Sequence, residues 1–430
     1  MSNRLRALFI DHLSIPRGKY LPAAKIGVAS TRFARATFGV HYDRDLLLDA
    51  PHAQVRDGAP DMELRWRGED VRKGWEPDTS VVLGDLYDAK AAPLSLCPRG
   101  ALKRAIADWQ QHGLNPMLGI ELEAYALQGG EDGRLRPYDA PGGAVYGTGP
   151  FADPMRINDV IWNKALEMGF KLDLITAEFD SPQFEYTLTF DDALKAVDDI
   201  VLFRLMAREI ALDHGIVLTF LPKPLSELGG SGMHINFSFQ DAEGNNALAS
   251  GEVGGPDHLN DLSHGCLAGL MHHHEGLAGL IAPTAGSYRR LQPSSMSGYW
   301  KNWGGDHRGV TTRVSGEGGA KARLEHRMAD ASSNPYTAAA AVLQAARLGY
   351  EAKMSLPPIE TGDGFDKVDA RTGTAPNLRK AVQDLLADTS LVDAVGRELV
   401  ENHAFMKERE FRKTRELEPD ALLDFYVWFI

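Results

Sequence analysis

Residues 308–330 read R-G-V-T-T-R-V-S-G-E-G-G-A-K-A-R-L-E-H-R-M-A-D. The segment closes on Arg323-Leu-Glu325-His-Arg327. Read as a strand, its period of two puts Arg323, Glu325 and Arg327 on one face and Leu324 and His326 on the other. Two guanidinium groups beside one carboxylate suit a site that takes a metal ion together with anionic substrates. Arg308 and Arg313 add two more fixed positive charges upstream. A solvated charged edge accounts for this segment equally well when it is taken alone. The other segments decide between the two.

The chain has 430 residues, 43% of them hydrophobic and 24% charged, enough for a large core and two domains. Its formal charge of -13 argues against a nucleic-acid partner. Cys97 and Cys266 are the only cysteines, so neither a disulfide framework nor a cysteine-based zinc site is readable. The N-terminal segment lacks a long apolar stretch and a cleavage site, and no window approaches a membrane span. A cytoplasmic protein is expected.

Along the chain, residues 4–12 (RLRALFIDH) and 79–87 (TSVVLGDLY) read as strands, R-G-K-Y-L-P at 17–22 as a turn, and 65–74 as a loop. The first 97 residues thus form a small β-rich α+β unit, and 98–430 a larger α/β body. Residues 99–112 have helical spacing stopped by Gly113, and 117–127 alternate as a strand. Residues 129–150 read as a long loop, 216–221 and 232–239 as strands. Helices are expected over 158–168, 190–214, 259–281 and 334–354, with two more short ones between 374 and 407.

Four of these stretches carry candidate ligands. Glu121 and Glu123 share a strand face and repel unless a positive charge sits near them. Glu178 and Glu185 are seven apart, which in one flat strand would point them to opposite faces; Pro182 argues for a break that re-aims one of them. In Gly229-Gly-Ser-Gly-Met-His234-Ile-Asn236-Phe-Ser238 the glycines permit close approach to a ligand, and His234, Asn236 and Ser238 line one face. The His272-His273-His274 run is set aside, because consecutive helical residues diverge by about 100°. Five carboxylates and one imidazole, with Glu325 included, favour Mg²⁺ or Mn²⁺ over zinc and divide between two ions. Divalent ions with arginine clamps describe phosphoryl transfer, and no P-loop or dinucleotide fingerprint is present.

In order and spacing these pieces resemble the glutamine synthetase family over nearly the whole chain. The resemblance rests on Gly119-Ile-Glu-Leu-Glu123, Glu178 to Glu185, Gly230-Ser-Gly-Met-His234, Ser287-Tyr-Arg-Arg290-Leu, Trp303-Gly to Arg308, Arg313, Arg323 to Arg327, Asp330 and Asn334-Pro-Tyr336. It implies an α+β fold, with a β-grasp-like N-terminal domain over 1–97 and a catalytic domain with a curved antiparallel sheet over 98–430. It also implies a ring homo-oligomer, commonly a dodecamer, with active sites between subunits. Carried onto this chain, Glu123, Glu178 and Glu185 hold the metal nearer the amino acid, and Glu121, His234 and Glu325 the metal on the ATP phosphates. Gly230, Arg290 and Arg327 bind glutamate; Asn236, Ser238, Arg308 and Arg313 serve the nucleotide. Arg308 and Glu178 are the implied catalytic residues. ATP phosphorylates the γ-carboxylate of glutamate, and an amine then displaces phosphate.

The departures bear on the amine. Where the family carries a lid glutamate that helps deprotonate ammonium, this chain has Met296, within Pro293-Ser-Ser-Met-Ser-Gly-Tyr-Trp300. The family's D-G-S loop of the small domain is not recognisable either. Met296, Tyr299 and Trp300 offer apolar or cation–π surface, so an organic amine is expected in preference to ammonia. The alternatives are an ordinary glutamine synthetase and an inactive structural or regulatory ring. Asn236 stands where a second histidine is usual, and Ser181-Pro182 replaces Pro-Gly. The adenylylation tyrosine motif is not evident in 351–358, so control of that kind is not expected.

Overall fold

The computed structural model describes residues 3–430. Strand β1 (Arg4–Ile10) forms as expected and pairs in parallel with β6 (Thr79–Leu83). The R-G-K-Y-L-P segment is not a turn: it lies in strand β2 (Pro16–Pro22), antiparallel to β1 from Ile10↔Pro16 to Arg4↔Pro22. Both its prolines are tolerated because β2 is the edge of a sheet ordered β2-β1-β6-β5. A second sheet, β3-β4-β7, contains β3 (Ser30–Ala34) and β4 (Asp61–Arg65), neither of which the sequence reading assigned. Edge strand β5 (Arg72–Lys73) falls inside the expected loop. The run 79–87 is two strands, β6 and β7 (Asp85–Tyr87), separated at Gly84. A Cβ at Gly84 would lie 2.6 Å from the Arg65 carbonyl oxygen, so only glycine lets the chain cross between sheets there.

Helix α1 (Pro98–Gln110) starts at Pro98 and buries Leu102, Ala105 and Trp109. It leads into β8 (Asn115–Gly129), the 15-residue spine of a ten-stranded sheet. Short strands β9 (Leu135–Pro137), β12 (Asp191–Asp192) and β13 (Val217–Thr219) pair along β8. The main path runs β10 (Leu172–Ala177), β11 (Gln183–Leu188), β8, β14 (Met233–Gln240), β17 (Leu324–His326), β16 (Thr312–Val314) and β15 (Trp303–Gly304). Helices α2 (Ile157–Glu167) and α3 (Ala193–Asp213) follow the expected spans closely.

The expected helix over 259–281 is broken into α4 (Asp261–His272) and α5 (His274–Ile281). His273 makes the break, its ring 2.6 Å from the Asp388 carboxylate. Beyond the four-residue α6 (Ser287–Arg290), α7 (Pro335–Glu351) packs on α1, where the Trp109 indole N–H donates to the Leu343 carbonyl at 2.9 Å. The tail holds three helices in place of two, α8 (Leu378–Ala387), α9 (Thr389–Val395) and α10 (Arg397–Thr414), followed by α11 (Pro419–Tyr426). Asp388 caps α9, and Gly396, at φ 127°, turns the chain into α10. One continuous hydrophobic core runs through all these parts. Among the described residues no helix is long and apolar enough to cross a membrane.

Buried polar bonds join the N-terminal sheet to the rest. Arg204 donates to the carbonyls of Ala331 and Ser333 and to the Ser14 hydroxyl, and the Asn334 amide donates to the Asp11 carbonyl at 2.7 Å. Histidines are also buried. Burial pushes His12 well below the usual imidazole value, His403 down to about 4, and His274 and His326 down to about 3. An imidazole with a lowered folded pKa binds its proton more readily in the unfolded chain, so the stability it contributes is lost as pH falls below about 6.5. With Mn²⁺ saturating, thermal unfolding followed from about pH 7 to pH 5 is expected to show a steadily falling Tm; a level or rising Tm would contradict this account.

Candidate active site

Strand β8 presents Glu121 and Glu123 on one face, with Ile120 and Leu122 buried behind them. Register then assembles the rest. Glu123 lies opposite Glu185 on β11, and Glu121 lies opposite His234 on β14. Asn236, one step further, faces Glu325 on β17, which faces Arg313 on β16. The spacing of seven between Glu178 and Glu185 is resolved by a turn at 179–182. Glu178 pairs back with Gln183, its N–H donating to the Gln183 carbonyl at 2.9 Å, so both carboxylates end on the same face of a hairpin.

His234 is the centre of the cluster. Its ring nitrogens lie 3.0 Å from Glu121, 3.6 Å from Glu123 and 3.6 Å from Glu325. Two groups have ligand atoms all within 4.8 Å of one another: Glu121, His234 and Glu325, and Glu123, Glu185 and His234. Glu178 belongs to neither and sits at the hairpin turn. Glu325 is held by Arg313 at 2.9 Å and Arg327 at 2.5 Å. Arg323 is not one of its partners: its guanidinium pairs with Glu317 at 2.6 Å, because Arg313 from the neighbouring strand takes the place beside Glu325. Arg290 is buried, its two terminal nitrogens donating to the carbonyls of Met328 and Arg327. Arg308 lies exposed on the loop before β16, where its charge is felt by Glu178. The buried Nε of Arg327 has no hydrogen-bond partner, an open donor beside the carboxylates.

The electrostatics are uneven. Burial, and then the charge of Glu121, pushes Glu185 up to about 8; burial and Glu123 push Glu178 up as well. Burial and Arg327 pull His234 down, but its bond to Glu121 and the charges of Glu123 and Glu121 outweigh them and leave it raised. Burial works against Glu325 too, yet Arg327, His234 and Arg313 hold it down to about 2. Negative charge is thus balanced at the Glu325 end and uncompensated around Glu185. A donor set of carboxylate oxygens with one imidazole nitrogen, carrying surplus negative charge, fits hard divalent cations.

Beside the cluster opens a cavity of about 360 Å³ lined by Gly119, Glu121, Asn236, Ser238, Lys321 and Arg323, with Phe190 on its rim. Phe190 is 60% exposed, a large ring offered to solvent at the mouth of a polar cavity. The sequence reading passed over it, although a lone aromatic at the end of a strand was the available signal. On the other side, Met296 lies next to Arg327, whose Nη2 donates to its carbonyl at 3.4 Å. Tyr299 and Trp300 pack edge to face at 4.9 Å, and the Trp300 indole is tied to the Pro293 carbonyl.

The glutamine synthetase catalytic domain family matches residues 95–426. The chain belongs to the glutamine synthetase family. It is an ATP-dependent carbon–nitrogen ligase. A glutamine synthetase of Halobacterium salinarum is 28% identical over 438 residues, spanning 98% of this chain and 93% of its own length. A glutamate–isopropylamine ligase of a Pseudomonas species is 29% identical over 426 residues, 96% of this chain and 91% of its own. Among solved structures, a GmaS/ADP complex aligns with a TM-score of 0.84 at 26% identity, covering 97% of this chain and 95% of that one. A glutamine synthase homologue aligns at 0.86 with 23% identity, over 100% and 99% of the two chains, and shares the fold.

Glu185, Glu178 and His234 hold protons more tightly in this fold than in the unfolded chain, so the metal-free protein loses stability as pH rises through their folded values, with Glu185 near 8. In the presence of a chelator Tm is expected to fall between about pH 6.5 and 8.5, and added Mn²⁺ to raise it more at the higher pH, because the ion binds the deprotonated ligands. A metal-induced shift that shrinks with rising pH would contradict this charge distribution.

Proposed function

We propose that the chain joins glutamate to an organic amine, through γ-glutamyl phosphate, in preference to ammonia. The observation that carries this reading is the segment that meets Arg327 through the Met296 carbonyl: from Pro293 to Trp300 it carries a methionine and two packed aromatic rings and no acidic side chain. Ammonium needs several hydrogen-bond acceptors and a negative field, whereas an alkyl group gains from thioether and ring faces. The relative named for isopropylamine supports the same direction.

In this reading Arg290 and Arg327 hold the amino acid's carboxylate, Arg327 through its open Nε, with Gly230 closing the site beside them. Asn236, Ser238 and Phe190 take the nucleotide in the adjoining cavity, and its phosphates reach toward Arg313, beside Glu325, and Arg308 on the loop before β16. Glu121, His234 and Glu325 would hold one Mg²⁺ or Mn²⁺, and Glu123, Glu178 and Glu185 a second. Such ions, when bound, neutralise charge on the transferring phosphoryl group. The γ-carboxylate of glutamate takes the γ-phosphoryl of ATP and ADP leaves. The amine nitrogen then attacks the acyl carbon, the C–O bond to phosphate breaks, and the amine's proton is released. Arg308 steadies the departing phosphate charge, and Glu178 offers its carboxylate to the incoming amine. The same reading makes 1–97 a β-grasp-like domain and 98–430 the catalytic domain of a cytoplasmic ring, a dodecamer with sites between subunits.

Amine-dependent ADP release with glutamate, ATP and Mg²⁺ tests the proposal, with ammonia run beside methylamine, isopropylamine, ethanolamine and putrescine. An organic amine is expected to exceed ammonia in kcat/KM by about tenfold or more. Ammonia in first place would make the enzyme an ordinary glutamine synthetase. Met296→Glu is expected to raise kcat/KM for ammonia and lower it for the preferred amine; no change in their ratio would remove Met296 from the acceptor site.

A further inference from the structure

The turn between β10 and β11 and the glycine loop Gly229–Gly232 are fastened to each other. The Gly229 N–H donates to the Asp180 carboxylate, and the Gln183 side-chain amide donates to the Gly230 carbonyl at 3.0 Å. The same amide nitrogen lies 3.3 Å from the Ser231 hydroxyl and 3.4 Å from Glu123 Oε2. That carboxylate oxygen also accepts the Gly232 N–H at 2.8 Å. Gln183 is 4% exposed, so its amide has no exchange with bulk water to fall back on. The loop also presses on Arg290: a Cβ at Gly230 would lie 2.6 Å from Arg290 Cγ, and one at Gly232 would lie 2.8 Å from both Arg290 Nη2 and His234 Nε2. One four-residue loop is therefore bonded to Glu123 of the acidic cluster and packed in close contact with the buried arginine.

We infer that Gln183 and Asp180 are positioning residues that couple cation binding at Glu123 to amino-acid binding at Arg290. This rests on the reading that Arg290 and Arg327 hold glutamate. A cation that draws Glu123 toward itself shifts the acceptor shared by Gln183 and Gly232. The loop then moves as a unit against Arg290, because both of its ends are pinned. Coupling of this kind is reciprocal: the factor by which the metal tightens glutamate equals the factor by which glutamate tightens the metal.

The test is titration calorimetry on the full chain, measuring Mn²⁺ affinity with and without saturating glutamate, and glutamate affinity with and without Mn²⁺. Wild type is expected to show the same factor in both directions, about tenfold. Gln183→Met keeps the volume and removes the amide; it is expected to bring the factor close to one while Tm stays near that of wild type. Asp180→Ala, which frees Gly229 at a half-buried position, gives the same collapse by an independent route. A purely structural role would weaken both ligands and leave the factor intact, and that result in both variants overturns the inference. A wild-type factor of one, with glutamate bound, overturns it too and leaves the functional reading standing. Failure of wild type to bind glutamate under any condition overturns both, and the wild-type titration alone separates that case from the others.

Discussion

Like charges held at neighbouring register positions are the constraint around which this molecule is arranged. Glu123 faces Glu185 across one strand pair, so repulsion is built into the hydrogen-bonding pattern of the sheet itself, and only Glu121 finds a partner across the next, in His234. A surface pair could swing into water, but these groups sit on β8, the strand most enclosed by others, and on its two neighbours β11 and β14. The fold relieves one end by setting Arg313 and Arg327 on Glu325 and leaves the other end unrelieved, where Glu185 stays protonated up to about 8. The same unrelieved charge that weakens the empty protein creates an affinity for cations, a strain retained because it is useful.

The division of the site follows from that asymmetry. The acidic cluster, the adjoining cavity and the arginines fall on strand faces or on loops bonded to them, and the family relatives span almost the full chain. The wall near Met296 lies on an irregular segment whose own hydrogen bonds are mostly local, as between Trp300 and Pro293. Such a segment can change its side chains without disturbing sheet register. The segment around Met296 is therefore free to diverge while the sheet and the side chains on it stay in place.

Much of the site was legible because strand periodicity is strict. Glu121 and Glu123, and likewise His234 and Asn236, could be assigned to one face from spacing alone. The hairpin that unites Glu178 with Glu185 was foreshadowed by Pro182, but β10 went unassigned, since Leu172–Ala177 alternates weakly and is only partly buried. Strand β2 was missed because Gly18, Pro16 and Pro22 mimic a turn, and edge position, which excuses them, is a tertiary property. The break at His273 depends on Asp388, over a hundred residues away, and no local pattern announces it. Pairing Arg323 with Glu325 failed for a similar reason: a shared face says which side chains are near, and competition from the next strand says which of them bond.

The seam between the N-terminal sheet and the catalytic body has a mechanical meaning. Arg204 and Asn334 tie the turn at Asp11–Ser14 to the segment that begins just three residues after Arg327. These bonds are buried and short, and the hydrophobic core is continuous across the join. There is accordingly no hinge at this boundary about which one part could swing to admit a substrate. The sheet of β1, β2, β5 and β6 is therefore braced against the segment that follows Arg327 rather than hung beside it.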